Sequence, residues 1–451
     1  MGSMLGQRGL VHTQSYYVER DTALNDKVCF SVADSALILL DCFAEYPRTV
    51  LTGTSGPSEL IQTVPLSSSG PLLVDDGPIL ASATLPSLDD SAIAVAYQRT
   101  NNLSIAMVPP RFLQLLDLPL CFSSYRICFK VDLRSTQVKK SWVKLSTSSL
   151  FVSERALVSL TQFRSASQLN WYYAAAAAYH DDINMQIAMT ILYEPGFGTD
   201  SFKFVVSPLN GAPQSFALKP SLSSNSTKFY GIITTNTPQI SITNLATVAI
   251  NNFNLSYLPQ GTQSILWART TVASTRDVAC VEIATNTTDV VRAIYAIYCF
   301  DFIAIPFNVS MTPYYVVTAN TGRAILSSEI FFDDQDQFCF SVRGNTFLNA
   351  HCAPLSFTGT TGMADLVAPS TSVTGNVTAS VTISRGGNFV TVSSMGTASG
   401  SPLLQVNAFM KGSPPVTYET SIALTAPNLA SLTAAFSPDF ERCYIFAPCP
   451  R

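Results

Sequence analysis

The chain has 451 residues, of which 47% are apolar and only 12% are charged, and its formal net charge is −4 at pH 7. The charged share is about half of that in an ordinary soluble domain, which argues against a cytosolic enzyme that must stay soluble alone. The small net charge gives no general attraction to nucleic acid or to anionic membranes, so no nucleic-acid partner is expected. No apolar run reaches the length of a membrane-spanning helix, and none is predicted.

A short internal sequence repeat, called an echo below, occurs near both ends of the chain. The strings YYV and CFSV follow one another at residues 16–18 and 29–32, and again at residues 314–316 and 339–342. In each copy a second cysteine follows the first by thirteen positions, at Cys42 and at Cys352. This recurrence predicts a repeated β unit that is fastened by a local pair of cysteines.

A second echo has the form A-x-A-Y-x7-I-A-M, and it occurs at residues 94–107 and 176–189. A small-residue strand, a polar turn and an alternating strand are typical of an antiparallel hairpin. The alanine run 174–178 has helical propensity, but the aromatic residues around it favour a strand. The best short helical candidate in the chain is the stretch from 153 to 161.

Looser copies of the hairpin bring the number of β units to about seven. Such units favour an all-β fold, with a β-propeller of about seven blades ahead of a jelly roll or tandem β-sandwiches. The predicted organisation is an N-terminal extension (1–14), repeated β units (15–355), a Gly/Ser/Thr-rich linker or long loop (356–380) and a last β unit or small C-terminal β domain (381–451).

The ten cysteines fall into five pairs of near neighbours along the chain. An even number at short spacing predicts disulfide-bonded hairpins in an oxidising compartment. The expected pairs are Cys29 with Cys42, Cys121 with Cys128, Cys280 with Cys299, Cys339 with Cys352, and Cys443 with Cys449. Ten buried thiols are the alternative, because free cysteine is among the most buried residue types.

Six N-x-S/T sequons permit N-glycosylation, although a chain this rich in Ser and Thr contains about that many by chance. They stand at Asn102, Asn225, Asn254, Asn286, Asn308 and Asn376.

Few patterns indicate chemistry, and no catalytic residue or cofactor is predicted. The acidic run Asp333, Asp334 and Asp336 is a weak calcium candidate, because hard oxygen ligands lie at short spacing; a solvated hairpin turn is the alternative. A weak basic patch interleaved with aromatic residues suits a polyanion, or else an exposed edge hairpin. It comprises Arg126, Lys130, Arg134, Lys139, Lys140 and Lys144, and other aromatic residues that could stack on sugars are Trp171, Tyr172, Tyr173 and Trp267.

These patterns predict a non-catalytic extracellular or cell-surface β-rich glycoprotein that acts in binding, recognition or structural assembly. Its expected partners are proteins or further copies of itself, with glycans as a further option. The first residues carry no apolar segment typical of a signal peptide. A viral capsid or virion-surface subunit is the alternative, and a carbohydrate-active propeller enzyme is a third hypothesis.

Overall fold

The computed structural model describes a little more than half of the chain. The described residues are 18–19, 27–33, 38–44, 60–65, 79–86, 91–99, 102–108, 142–143, 157–164, 171–180, 185–193, 199–206, 213–221, 228–247, 249–259, 265–303, 311–318, 325–333, 335–344, 347–355, 376–385, 388–396, 403–410, 416–423, 433–436 and 443–446.

The strands of the described residues pair antiparallel into eight sheets, and in each of these sheets the strands follow the order of the chain. Sheet 1 contains β1 (Val18–Glu19), β2 (Lys27–Ala33), β3 (Ile38–Ala44) and β4 (Leu60–Pro65). Sheet 2 contains β5 (Ile79–Pro86), β6 (Ser91–Arg99), β7 (Asn102–Val108) and β8 (Trp142–Val143). Sheet 3 contains β9 (Leu157–Arg164), β10 (Trp171–His180), β11 (Met185–Tyr193) and β12 (Thr199–Val206).

The remaining five sheets continue the same pattern. Sheet 4 contains β13 (Pro213–Ser221), β14 (Lys228–Thr235), β15 (Gln239–Asn244) and β16 (Ala249–Asn254). Sheet 5 contains β17 (Ile265–Val272), β18 (Val278–Thr285), β19 (Ala293–Asp301) and β20 (Tyr315–Thr318). Sheet 6 contains β21 (Ile325–Phe332), β22 (Phe338–Gly344) and β23 (Leu348–Ala353). Sheet 7 contains β24 (Asn376–Arg385), β25 (Asn388–Gly396), β26 (Leu403–Met410) and β27 (Val416–Ala423), and sheet 8 contains β28 (Thr433–Phe436) and β29 (Cys443–Phe446).

The all-β prediction is confirmed, and the described residues contain no helix, hence none that could span a membrane. The short helical candidate at 153–161 is wrong from Leu157 onward, because Leu157–Arg164 forms β9 and pairs along its length with β10. Pairing with a neighbouring strand outweighs a weak local helical preference there.

Both copies of the alanine–tyrosine echo form the predicted hairpins. In β6 and β7, Ala96 lies opposite Ile105, and in β10 and β11, Ala178 lies opposite Ile187. The two copies therefore share one register. The alanine run is a strand, as the flanking aromatic residues predicted.

A β-bulge near the start of the first strand recurs in five sheets. The register shifts between residues 79 and 81, 213 and 215, 265 and 267, 325 and 327, and 377 and 379. A bulge adds one unpaired residue and increases the local twist. Its recurrence within the first residues of these strands is consistent with the repeated β unit that the sequence predicts.

Sheet 5 is covered on both faces by neighbouring sheets. A propeller blade is covered in this way, whereas a sheet of a β-sandwich is covered on one face only. Every residue of β18 is buried. Its alternate side chains pack into two different cores, with Val281 and Ile283 among residues of sheet 4 and Val278 and Cys280 among residues of sheet 6. The first strands of sheets 4, 5, 6 and 7 also contact one another in that order. The predicted β-propeller organisation is therefore present in these blades, and the consecutive strand order differs from that of a jelly roll.

The chain divides into two compact units, residues 1–203 with 448–451, and residues 204–447. Sheets 1 and 2 and most of sheet 3 belong to the first unit, and sheets 4 to 8 belong to the second. The boundaries predicted at residues 14, 355 and 380 stay predictions.

Candidate functional site

Two of the five predicted disulfides join adjacent strands of one sheet. Cys280 lies opposite Cys299 with a Cα–Cα distance of 4.1 Å, and Cys339 lies opposite Cys352 at 4.0 Å. Both pairings are confirmed. Because Cys352 is disulfide-bonded and His351 beside it is buried, this adjacent pair offers no free thiol for catalysis.

The other predicted cysteine pairs are described only in part. Cys29 lies directly opposite Cys42 in the register of β2 and β3, as the echo with Cys339 and Cys352 predicts. Cys443 begins β29. Cys121, Cys128 and Cys449 lie outside the described residues, so these two pairings stay predictions.

The carboxylates of the calcium candidate accept hydrogen bonds from the protein itself. Oδ1 of Asp333 accepts from the amides of Gln335 and Gln337, at 2.9 and 2.7 Å. Asp334 lies outside the described residues. Asp333 also lies near the sulfurs of Cys339 and Cys352, but sulfurs joined in a disulfide are not the thiolates that bind metals. Calcium binding at this turn therefore stays a prediction.

Asp336 links sheet 6 to the loop that follows the first strand of sheet 5. Its two carboxylate oxygens accept from the amides of Ser274 and Thr275, both at 2.8 Å, and from both hydroxyls. Burial alone would raise the pKa of Asp336, but these hydrogen bonds outweigh burial and hold the pKa below its ordinary value. Its φ of 53° places the residue in the left-handed region, which Asp tolerates better than most residues.

Sheet 5 has an equivalent aspartate that the sequence reading missed. Oδ2 of Asp277 accepts from the hydroxyl of Ser221 in sheet 4, at 3.2 Å. Asp277 precedes Cys280 by three positions, as Asp336 precedes Cys339, and the spacing recurs at Asp26 and Cys29. Asp-x-x-Cys is therefore the sequence signal that could have identified this contact between sheets.

The remaining predicted residues are spread over the chain. Asn254 and Asn286 are exposed, which suits a glycosylation site, but their use stays a prediction. Trp267 is half-buried. Trp171, Tyr172 and Tyr173 lie in β10, and Asn102 and Asn376 begin β7 and β24. The basic patch (Arg126, Lys130, Arg134, Lys139, Lys140 and Lys144), Asn225 and Asn308 lie outside the described residues.

A cluster of ionisable groups lies where sheets 5 and 6 meet, and we call it the Arg269 cluster: Arg269, Glu282, Tyr295 and Glu329. Nη1 of Arg269 donates to Oε2 of Glu329 at 2.9 Å and to the carbonyl of Ser328 at 3.0 Å. It also lies 3.4 Å from Oε1 of Glu282. The hydroxyl of Tyr295 donates to Oε2 of Glu282 at 2.5 Å.

The strand pattern explains why these four residues meet. Arg269 lies opposite Glu282 in the register of β17 and β18, so their side chains project to the same face of sheet 5. Tyr295 packs on that face, and Glu329 comes from β21, the first strand of the next sheet. The Glu282 side chain is fully buried, whereas that of Arg269 is 40% exposed. The cluster therefore runs from the core to the solvent.

Burial shifts the ionisation of two members of the cluster. Burial raises the pKa of Glu329 to about 7; the Arg269 guanidinium acts against this rise, and the Glu282 carboxylate adds to it. Burial, together with the negative charge of Glu282, also raises the pKa of Tyr295 well above its ordinary value. Tyr295 therefore stays protonated and donates to Glu282.

We expect Glu329→Gln to flatten the dependence of stability on pH. Between about pH 4.5 and 7 the folded protein holds a proton on Glu329 that the unfolded chain releases, so a rise in pH favours unfolding. The wild type should lose of the order of 2–3 kcal/mol more unfolding free energy than the variant between pH 5 and 8. Urea unfolding of both proteins at each pH measures this difference, and identical profiles would contradict the raised pKa.

Comparisons with known proteins give no family. No family model matches the chain, and no curated protein matches it. Among solved structures, the chain is similar to AofleA from Arthrobotrys oligospora, with 12% identity, 94% of this chain and 89% of that chain covered, and a TM-score of 0.38.

Two further solved structures show similar levels of likeness. The Aleuria aurantia lectin, described as a six-bladed β-propeller with a novel fucose recognition mode, is 10% identical over 91% of this chain and 95% of that chain, with a TM-score of 0.32. A post-proline cleaving enzyme from Rickettsia typhi is 8% identical over 94% of this chain, with a TM-score of 0.42. The chain spans about half the length of the prolyl peptidases that it matches, 54% and 55%.

Proposed function

We propose that the protein is a non-catalytic extracellular or cell-surface β-rich glycoprotein that acts through binding or assembly. The observation that carries this proposal is a group of exposed apolar side chains at one end of sheet 5, which we call the apolar end. Its members are Tyr257, Leu266, Val290 and Val291, which are 52%, 58%, 60% and 70% exposed.

Backbone contacts bring these four residues to the same end of the sheet. The amide of Ala293, just after Val290 and Val291, donates to the carbonyl of Tyr257 at 2.9 Å. Ile265 pairs with Thr285, which directly precedes the loop that holds the two valines. Leu266 is the extra residue of the bulge in β17, so it lies outside the pairing with β18. Several large apolar side chains exposed at the same end of a sheet are typical of an interaction site.

The exposed sequons Asn254 and Asn286 lie on the segments that form the apolar end. The two disulfides are typical of an oxidising compartment. Both features support the extracellular part of the proposal.

We expect Val290→Ser with Val291→Ser to weaken association of the protein by about tenfold or more, because each valine loses about 1.5 kcal/mol of apolar burial at an interface. Sedimentation velocity over a hundredfold range of concentration measures the effect for self-association. Val316→Ser, an exposed valine on β20, is the matched control and should leave association unchanged. A wild type that sediments as a monomer throughout, like the double variant, would contradict assembly through the apolar end.

A further inference from the structure

Arg269 is held by the protein on one side and faces solvent on the other. Its Nη1 alone makes the contacts with Ser328, Glu329 and Glu282. Within the part of the chain that the structure describes, Nε and Nη2 have no acceptor, and the side chain is 40% exposed. Three fixed contacts on one nitrogen orient the guanidinium, so its remaining donors are preorganised for a ligand.

Glu329 and Trp267 lie beside this exposed guanidinium. Oε2 of Glu329 accepts a hydrogen bond from Arg269, and the Glu329 side chain is 20% exposed, so solvent reaches it. Trp267 is two residues from Arg269 on β17, and residues two apart on a strand project to the same face about 7 Å apart. The half-buried indole packs on the same core as Tyr295, with its ring 6.2 Å from the tyrosine ring. The indole is thereby held in place beside a donor and an acceptor.

The charges of the cluster define the class of ligand. A free anion is disfavoured by the carboxylate of Glu282 and, above the pKa of about 7, by that of Glu329, and a cation is disfavoured by the guanidinium that faces it. A neutral molecule with neighbouring hydroxyl groups can accept from Arg269, donate to Glu329 and place its apolar face on the indole. We propose that Arg269, Glu329 and Trp267 form a binding site for a neutral carbohydrate, an inference that rests on the proposed binding function and names a ligand class for it.

The test uses the full chain and a panel of methyl glycosides, namely neutral hexosides, 6-deoxyhexosides and N-acetylhexosaminides, with a sialoside and an alkylamine as charged probes. Saturation-transfer NMR identifies binders, and calorimetry measures their affinity. We expect at least one neutral glycoside to bind and to lose at least tenfold in affinity in Arg269→Lys and in Glu329→Gln. Arg292→Lys changes an arginine of similar exposure in a separate ion pair with Asp289, and it should bind like the wild type.

Tryptophan fluorescence gives a second readout. Trp267 is one of three tryptophans, and we expect the bound glycoside to change the emission of the wild type but not that of Trp267→Phe. Thermal unfolding in the same buffer shows whether each variant is folded, and Glu329→Gln keeps the shape of the side chain it replaces.

Three results would overturn the inference. They are a wild type that binds none of the neutral glycosides, binding of the charged probes only, or unchanged affinity in both folded variants, Arg269→Lys and Glu329→Gln. None of these depends on the apolar end, so failure here and failure of the sedimentation test are distinguishable.

Discussion

Replacing Glu282 with alanine is expected to lower the free energy of unfolding by about 3 kcal/mol. The Glu282 side chain is fully buried, and its loss leaves the buried hydroxyl of Tyr295 without its acceptor and Arg269 with one carboxylate fewer. An unsatisfied buried donor costs about 1–3 kcal/mol, and the cavity left by the side chain adds to this. Urea unfolding at pH 7.5 measures the loss.

Glu282→Gln is the control for this prediction. The amide oxygen still accepts from Tyr295 and fills the same volume, so we expect a smaller loss than for alanine. The glutamine variant should also bring the pKa of Glu329 below about 7, because one cause of its rise is removed. If alanine and glutamine both leave the stability within about 0.5 kcal/mol of the wild type, the contacts of Glu282 with Arg269 and Tyr295 do not stabilise the fold.

Asp336→Ala is expected to cost about 3 kcal/mol, because the amides and hydroxyls of Ser274 and Thr275 lose their acceptor. Alanine at a φ of 53° adds backbone strain of about 1 kcal/mol. Asp336→Asn keeps one acceptor oxygen and a residue that tolerates this conformation, so it should be clearly less damaging. Equal losses for the two variants in denaturant unfolding would show that the carboxylate contacts are unimportant.

The lowered pKa of Asp336 also predicts how the stability of the protein changes in acid. Because the pKa of Asp336 is lower in the folded protein than in the unfolded chain, its contribution to stability is present above about pH 4 and is lost as the pH falls through the folded value.

Short-range patterns in the sequence predicted much of the fold. Cys339 and Cys352 are thirteen positions apart, close enough for both to belong to one hairpin, and the structure shows them directly opposite each other. The alternation in A-x-A-Y-x7-I-A-M likewise predicted two hairpins, since both strands and the turn lie within one short segment. Local spacing carries this information because antiparallel neighbours are joined directly.

The Arg269 cluster was not predictable in the same way. Its members come from four strands and span sixty residues of the chain. Strand pairing within sheet 5 brings Arg269, Glu282 and Tyr295 together, and Glu329 joins them only because sheet 6 packs against sheet 5. In the sequence each charged residue resembles the solvent-facing position of an alternating strand. Glu282 lies in a core because neighbouring sheets cover both faces of this blade. The sequence of sheet 5 alone does not show that its second face is covered. The Asp-x-x-Cys spacing, by contrast, is a local sequence pattern that recurs in three of the repeated units.

The most direct test of the proposed extracellular binding protein is peptide mass spectrometry of the protein from its natural source, with and without reduction and deglycosylation. We predict that Cys280 is linked to Cys299, Cys339 to Cys352 and Cys29 to Cys42, and that glycans occupy Asn254 or Asn286. Free thiols at these cysteines together with bare asparagines would contradict the proposal and would favour the capsid-type subunit instead.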